Sequence, residues 1–546
     1  MEWRLRETAP ELRDWYRRDG YWTDATLTDL VVDGLERNRE REFRVWSRIR
    51  PTRDRLGDVA ARAYALAAGL ARHGVREGDV VAFQLPNCVE AGITFYTAAL
   101  LGVVLVPVVH FYGHHELGYI LDRTEARVLI TADAFGHIDY LAGLEQLRPA
   151  LPALETVAVV GIADPDPALP AGAVPLASLA GDGGDLTPAR PDPDAPAVIG
   201  FTSGTTAEPK GVIHTHRTIG GELHHMTWMG AMPARPTLVG APVGHAIGMQ
   251  GGLLGPLLRD MSVHLQDVWN PGDVLRAMEE AGVTAGSGST YFLTSLLDHP
   301  DCTPRHHELI GSVGMGGSPV PAAVADRAES LGISLLRSYG STEHPSTTGS
   351  RHDAAREQRL YTDGTPMPGV EVRLLDDDGN EVGVGEPGEI VSRGPDLFVC
   401  YTEPALTKAA IDDDGWYASG DIGVRDERGA ITITDRKKDV IIRGGENISA
   451  AEVEELLVRM PGVAEVAVVA APDERLGEHA CAYFRMTPGA PPPDLGAVRA
   501  HLETAGLARQ KWPEELRVAD EFPRTASGKV QKYVLRDRIR QRELRE

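Results

Sequence analysis

Between residues 53 and 109 the apolar positions change period, and each change marks an element. Over 53–74 they recur at helical spacing and stop at Gly74, which predicts an amphipathic helix. The stretches 79–85 and 103–109 are largely apolar and of strand length, with a helix over 89–101 between them. That alternation predicts a parallel sheet wrapped by helices, and 127–131 and 156–160 extend it. Upstream, residues 1–60 are charged and carry two candidate helices, 11–18 and 28–38. Downstream, 162–196 is rich in Pro, Gly, Ala and Asp and reads as a loop or linker.

A second alternating set follows: strand 237–242, a Gly-rich helix 248–258, strand 262–266, helix 271–281, strand 283–286, helix 290–298 and strand 311–314. From about 345 to 435 the texture changes to short strands and turns, with 370–375, the turn Asp378-Gly379, 388–392 and 430–434 suggesting a small antiparallel unit. The last segment starts near Arg436. Ser449 and Glu452 have capping-box spacing ahead of Val453, Leu456 and Leu457, then come strands 463–470 and 480–484 and helix 495–504. No internal repeat is found. At 546 residues the chain needs three or four cores on a prior of about 150 residues each.

Composition narrows the partners. A formal net charge of −24 argues against nucleic acid or an anionic membrane surface as a partner. The longest apolar run, 98–109, is too short to span a bilayer and contains Pro107. No apolar segment of a secretory signal opens the chain, and Cys88, Cys302, Cys400 and Cys481 are scattered, as expected of reduced thiols in a cytoplasmic protein.

The chemistry starts at 201–216, FTSGTTAEPKGVIHTH, between a strand that enters (197–201) and one that leaves (211–213). Glycine lets the backbone approach a ligand, successive N–H groups make a concavity for anions, and hydroxyls and Lys210 add donors. Phosphate is the natural guest. The nucleotide P-loop pattern G-x-x-x-x-G-K-[ST] is absent.

The segment TSGTTAEPKG resembles the phosphate loop of the adenylate-forming superfamily: acyl-CoA synthetases, aryl-acid ligases, peptide-synthetase adenylation domains and luciferase. Ala207 stands where those enzymes usually carry Gly. The resemblance continues in order along nearly the whole chain and is weakest before residue 55. It implies that Thr202, Ser203, Gly204, Thr205, Thr206 and Lys210 bind phosphate, and that Gly316, Gly317 and Ser318 lie against adenine. In Ser338-Tyr339-Gly340-Ser341-Thr342-Glu343 it places Tyr339 on adenine, Thr342 on the α-phosphate and Glu343 on Mg²⁺, with Gly340 and Ser341 in the same nucleotide loop. Asp421 becomes the ribose ligand and Arg436 a nucleotide contact. Lys438 becomes an interdomain hinge, Gly445 a marker of the thiol channel, and Lys529 the catalytic lysine.

The fold implied is α/β: a large N-terminal AMP-binding domain of two α/β subdomains (1–195 and 196–344) and a small antiparallel β-barrel-like subdomain (345–435). A small mobile α+β domain, 437–546, completes it. The reaction implied is ATP-dependent activation of a carboxylic acid to acyl-AMP, with loss of pyrophosphate, followed by transfer to the thiol of coenzyme A. Such chemistry rests on positioning and charge neutralisation more than on a general base.

For the acid, the segment 241–248 resembles the superfamily's pocket motif, with His245 in the gating position and Ala246 where relatives grip an amine or hydroxyl. An apolar fatty, alicyclic or aryl acid is therefore expected. Gly248, Ser289 and Gly314 are expected to leave room for it, and His344 to touch it. The competing reading is adenylation of another acid, including a small one such as nitrite, with a carrier-protein thiol in trans or an amine as acceptor. A catalytically dead binding homologue is the third, disfavoured by intact Lys210, Glu343, Asp421 and Lys529. A homodimer is a fair expectation.

Overall fold

A computed structural model describes residues 3–202, 209–229, 235–437, 439–443, 446–473, 475–525 and 528–543. The expected phosphate-loop residues Ser203, Gly204, Thr205 and Thr206, the hinge Lys438 and the channel marker Gly445 lie outside the described residues.

The first alternating pattern builds an eight-stranded sheet. Its order is Cys400–Tyr401, Lys210–Thr215, Pro196–Thr202, Val104–Val108, Val80–Gln84, Val128–Ala132, Thr156–Val160 and Ala173–Pro175. The middle strands pair in parallel, Val81 opposite Leu105 on one side and Val128 on the other. Period-2 geometry splits each strand between two cores. Val81, Phe83, Leu105 and Ile130 join the core under helices Leu56–Arg72 and Val89–Leu101, while Val80, Ala82, Val106 and Leu129 join the core under helix His114–Thr124. Helix Val89–Leu101 is buried on every residue, which explains its unbroken apolar character.

Three differences from the sequence reading have physical causes. The sheet runs across position 195, because Pro196–Thr202 pairs in parallel with Val104–Val108, so the two α/β subdomains are interleaved rather than cut there. The N-terminal region contributes more than helices. Glu42–Trp46 and Thr52–Arg55 form an antiparallel hairpin, and the first of these strands adds in parallel to Val263–Gln266. Their alternate arginines and glutamates mask the strand signal, since only Phe43 and Val45 point inward. Finally, strand 283–286 is reduced to isolated bridges, Thr237 with Thr284 and Gly288 with Met315. The Gly-rich helix begins at Ala246 and passes through a π turn, Gln250–Leu254, before Gly255–Leu258. Such turns interrupt helices where a side chain must be re-aimed.

Residues 371–436 form a four-stranded antiparallel sheet, with Glu371–Leu375 and Ile431–Arg436 at its edges. The last unit pairs Val463–Asp473 with Gly477–Met486, and the latter with Glu515–Val518 in parallel. Helices Ala450–Leu457 and Leu495–Thr504 pack on that sheet through Val453, Leu457, Val498 and Leu502, and Lys532–Glu543 through Leu535 and Ile539. Ser449 caps the first of these helices, accepting from the Glu452 amide at 3.1 Å, whereas the Glu452 carboxylate pairs with Lys511 instead of closing the box.

Candidate active site

The strand Ser334–Tyr339 ends at Gly340, where a Cβ would overlap the Pro345 carbonyl, so only glycine lets the chain fold back here. The turn after it is closed by the Ser341 amide donating to the His344 carbonyl at 2.9 Å. This turn presents Thr342 and Glu343 side by side. The Thr342 carbonyl contacts His214 Nε2 at 2.7 Å. Glu343 is buried, and its Oε1 accepts from the Tyr401 hydroxyl at 2.7 Å. Lys210, at the start of strand Lys210–Thr215, lies over the Tyr401 ring at 5.5 Å from its centroid. Lys210 and Glu343 thus share one tyrosine.

Across the small sheet, Asp421 collects the groups expected to meet a nucleoside. Its Oδ2 accepts from the Tyr339 hydroxyl and its Oδ1 from Arg436 Nε, both at 2.7 Å. The strands Tyr417–Arg425 and Ile431–Arg436 place Asp421 directly opposite Arg436 in register. Burial and the Asp421 carboxylate push the Tyr339 phenol far above its ordinary value, leaving it a donor.

Lys529 reaches this region from the C-terminal unit. Its turn is built by Thr525: the Thr525 amide donates to the Lys529 carbonyl at 2.8 Å, and the Lys529 amide to Thr525 Oγ1 at 3.1 Å. Gly528 in the turn has φ +83°, the left-handed region. A Cβ on Gly317 would lie 3.7 Å from Lys529 Cε and 3.5 Å from Ile247. A Cβ on Gly528 would lie 2.5 Å from Ser289 Oγ. Ser318 Oγ accepts from the Thr290 amide at 3.4 Å, tying the loop 316–318 to the helix that begins beside Ser289. Burial, and then the Lys529 charge, push His245 down to about 4.

A cavity adjoins Thr342 and Gly200. Pro107, Val198, Phe201, Ile219 and Met249 supply apolar wall, and His245 and Ala246 line it too. Gly248, Ser289 and Gly314 do not line it among the described residues. Gly248 is instead required by the Pro242 backbone, which a Cβ would overlap. His344 is a correction. Its ring is buried, with Nδ1 on Ser392 Oγ at 2.8 Å and Nε2 on Asp396 Oδ1 at 3.1 Å, so it holds the structure together rather than facing the cavity. Sequence reasoning missed His214, Thr218, Glu222 and Gln250, which give the cavity its polar wall, and Tyr401, which holds Glu343. Only the four-residue recurrence of 214, 218 and 222 hinted at the first three. A larger groove, about 650 Å³, lies between the turn at 47–51 and Trp269; it contains none of the expected residues and is set apart from this chemistry.

Two family models match the chain: AMP-binding enzyme over residues 46–402 and AMP-binding enzyme C-terminal domain over 452–529. The chain belongs to the AMP-binding enzyme family. It is 33% identical over 545 residues to a medium-chain fatty-acid–CoA ligase of Escherichia coli K12, covering 96% of this chain and 93% of that protein. It is also 33% identical over 546 residues to a salicylyl-CoA synthase / salicylate adenylyltransferase of a Streptomyces species, covering 97% of this chain and 96% of that protein. The crystal structure of ATP-bound MatB from Rhodopseudomonas palustris superposes with a TM-score of 0.82 at 28% identity, over 94% of this chain and 99% of that one. The adenylate-forming superfamily and the α/β fold expected from the motifs both stand, and with them an ATP-dependent acid–thiol ligase. No helix among the described residues is long and apolar enough to cross a membrane.

Proposed function

We propose that the chain activates an apolar carboxylic acid with ATP and passes the acyl group to coenzyme A. In the first step a carboxylate oxygen attacks the α-phosphorus of ATP, the bond to pyrophosphate breaks, and acyl-AMP forms. In the second the thiol sulfur attacks the acyl carbonyl and AMP leaves. The observation that supports this reading is the meeting of Lys529 with Gly317 beside His245: a cation from the C-terminal unit reaches the edge of the cavity that His245 lines.

In this reading Asp421 grips the ribose diol, exchanging its bonds to Tyr339 and Arg436 for the two hydroxyls. Tyr339 lies along the base, with Gly340, Ser341 and the loop Gly316, Gly317, Ser318 beside it. Thr202, Lys210 and Thr342 face the phosphates, and Lys529 donates to both reactants as charge moves between them. Glu343 fits Mg²⁺: it is one buried carboxylate fixed by Tyr401, and Mg²⁺ is held by one or two carboxylates together with substrate phosphates. When bound, that ion would neutralise phosphate charge.

The cavity's wall is apolar, as an aryl or medium-chain acid needs, the classes named for the two relatives, but its open space of about 40 Å³ must widen to admit either. The C-terminal unit from about 437 is the moving part. Its described contacts with the rest include the Glu455 carboxylate accepting from the Ala322 amide at 3.2 Å, the Ser449 hydroxyl donating to the Thr434 carbonyl at 3.1 Å, Lys437 pairing with Glu389 at 3.1 Å, and Arg524 over Tyr291 at 5.2 Å. Free, mostly buried cysteines suit a cytoplasmic setting.

The test is pyrophosphate release with ATP, Mg²⁺ and a panel of acids, with and without coenzyme A, and mass spectrometry of the products. Acyl-CoA formed from one apolar acid class only when coenzyme A is present is the expected result. Acyl-AMP that coenzyme A never consumes would move the acceptor to a carrier thiol or an amine, and no pyrophosphate with any acid would overturn the reading.

A further inference from the structure

Behind the acyl cavity, four chemistry-bearing side chains converge from three segments distant in sequence. Glu222 and His225 project from one face of helix His216–Trp228, Asp396 comes from the loop before Phe398, and His344 follows Glu343. All are buried: Glu222 is 4% exposed, His344 1%, and His225 and Asp396 0%. Ligand atoms of Glu222, His225 and Asp396 lie within 4.8 Å of one another.

The hydrogen bonds fix which atoms face inward. His225 Nε2 is 2.8 Å from the Pro368 carbonyl, an acceptor, so that nitrogen carries its hydrogen. The other ring nitrogen, Nδ1, falls short of hydrogen-bond geometry but pairs with Asp396 Oδ1 at 3.4 Å. Glu222 Oε2 has no hydrogen-bond partner. Asp396 is anchored from outside, its Oδ2 accepting from the Ser346 amide at 2.9 Å and its Oδ1 touching His344 Nε2 at 3.1 Å. A buried carboxylate oxygen without a hydrogen-bond partner, set beside a buried His225–Asp396 pair, is costly unless a proton or a cation neutralises it.

We propose that Glu222, His225 and Asp396 are the protein ligands of a divalent transition-metal ion, zinc by ligand chemistry, set in the wall of the acyl cavity. A tetrahedral site with ligand bonds of about 2.0–2.2 Å has edges of about 3.3–3.5 Å, which the His225–Asp396 separation of 3.4 Å matches. The imidazole donor favours zinc and its neighbours over magnesium. The Pro368 carbonyl supplies the outer acceptor that metal-bound histidines use, and His344 positions Asp396. Once Glu222 and His225 release their protons as the ion binds, two carboxylates and neutral imidazoles sum to a charge that one divalent ion cancels. Glu222 also lines the cavity, which puts the cluster against its wall. Protons offer the alternative: against the lowering effect of burial, Asp396 pushes His225 up to about 9, and burial followed by Asp396 pushes Glu222 up to about 8.

The experiment is metal analysis of the full chain after incubation with Zn²⁺ and removal of loosely held ions, with Co²⁺ loading and visible absorption as the second readout. The wild type should retain about one equivalent, and Glu222→Gln, His225→Ala and Asp396→Asn should each lose at least tenfold in retention, whereas Glu343→Gln should keep it. Tetrahedral Co²⁺ absorption should vanish with the same three substitutions. Glu222→Gln is near-isosteric and keeps the fold if the bulkier losses do not. A wild type that retains less than a tenth of an equivalent, or variants that retain as much as the wild type, would overturn the site. Neither result depends on pyrophosphate release, so the proposed reaction stands or falls separately.

Discussion

Lys529 is the residue on which most turns, because it belongs to a different unit from the groups it serves. Replacing it with Ala removes one preorganised donor from the charge-developing step, a loss of about 10²–10³-fold in that step. Lys529→Ala should therefore lose acyl-AMP formation while still transferring supplied acyl-AMP to coenzyme A, read by following the two half-reactions apart. Equal loss of both would remove the lysine from its assigned role. At this scale the sequence was most informative where a site is continuous. Gly340 to Glu343 are consecutive, so their chemistry could be read as a string. Tyr401 lies 58 residues from the Glu343 it holds, and Glu222 is 174 residues from Asp396; such partners become visible only when the chain has folded. His344 shows the converse error. A histidine beside a metal-type glutamate looks functional in sequence, yet the fold turns its ring away into Ser392 and Asp396.

Elements were legible where their period was clean and hidden where charge interrupted it. The strand Val80–Gln84, buried at every position, was readable; Glu42–Trp46, buried at alternate positions under arginines, was not. Two glycines in helices separate local propensity from packing. A Cβ on Gly220, in helix His216–Trp228, meets nothing within 4 Å, so Gly220→Ala should stabilise by about 0.5–1 kcal/mol. Gly248 sits against the Pro242 backbone, so Gly248→Ala should lower the melting temperature sharply despite the same gain in propensity. Thermal unfolding of both variants checks the pair.

The junction between helices also sets an acid limit. His216 Nδ1 accepts from the Leu27 amide at 3.1 Å, at the start of helix Leu27–Arg37, and can do so only unprotonated. Burial pushes His216, His110 and His264 each down to about 4 from an ordinary value near 6.5. Below pH 6.5 the unfolded chain takes up protons that the folded chain refuses, so stability falls from about 6.5 toward 4 and is unaffected by these groups above 6.5. Melting temperatures across that range should decline on the acid side, and His216→Gln should flatten part of the decline.

For the whole molecule, the change in texture and the motifs on either side of it suggest a division near residue 436. How the two parts meet could not be read in this way, because a sequence carries no distance between Ser289 and Gly528. In the structure a Cβ on Gly528 would stand 3.5 Å from Ser289 Cβ, at the short end of the separation a disulfide spans. Ser289→Cys with Gly528→Cys should therefore cross-link under oxidation, at a cost of about 1–2 kcal/mol for a side chain at the left-handed Gly528. Cys88, Cys400 and Cys481 are buried and should not compete, and the partly exposed Cys302 is replaced by Ser in every variant. The bond would hold Lys529 against Gly317, the arrangement assigned to acyl-AMP formation. If the C-terminal unit must rotate before the thiol can attack, the oxidised protein should complete one round of acyl-AMP formation and then stall, with transfer to coenzyme A slowed at least tenfold and restored by reductant. Each single-cysteine variant should run both steps. Unimpaired transfer in the cross-linked protein would mean that one arrangement serves both reactions and that no rotation is required.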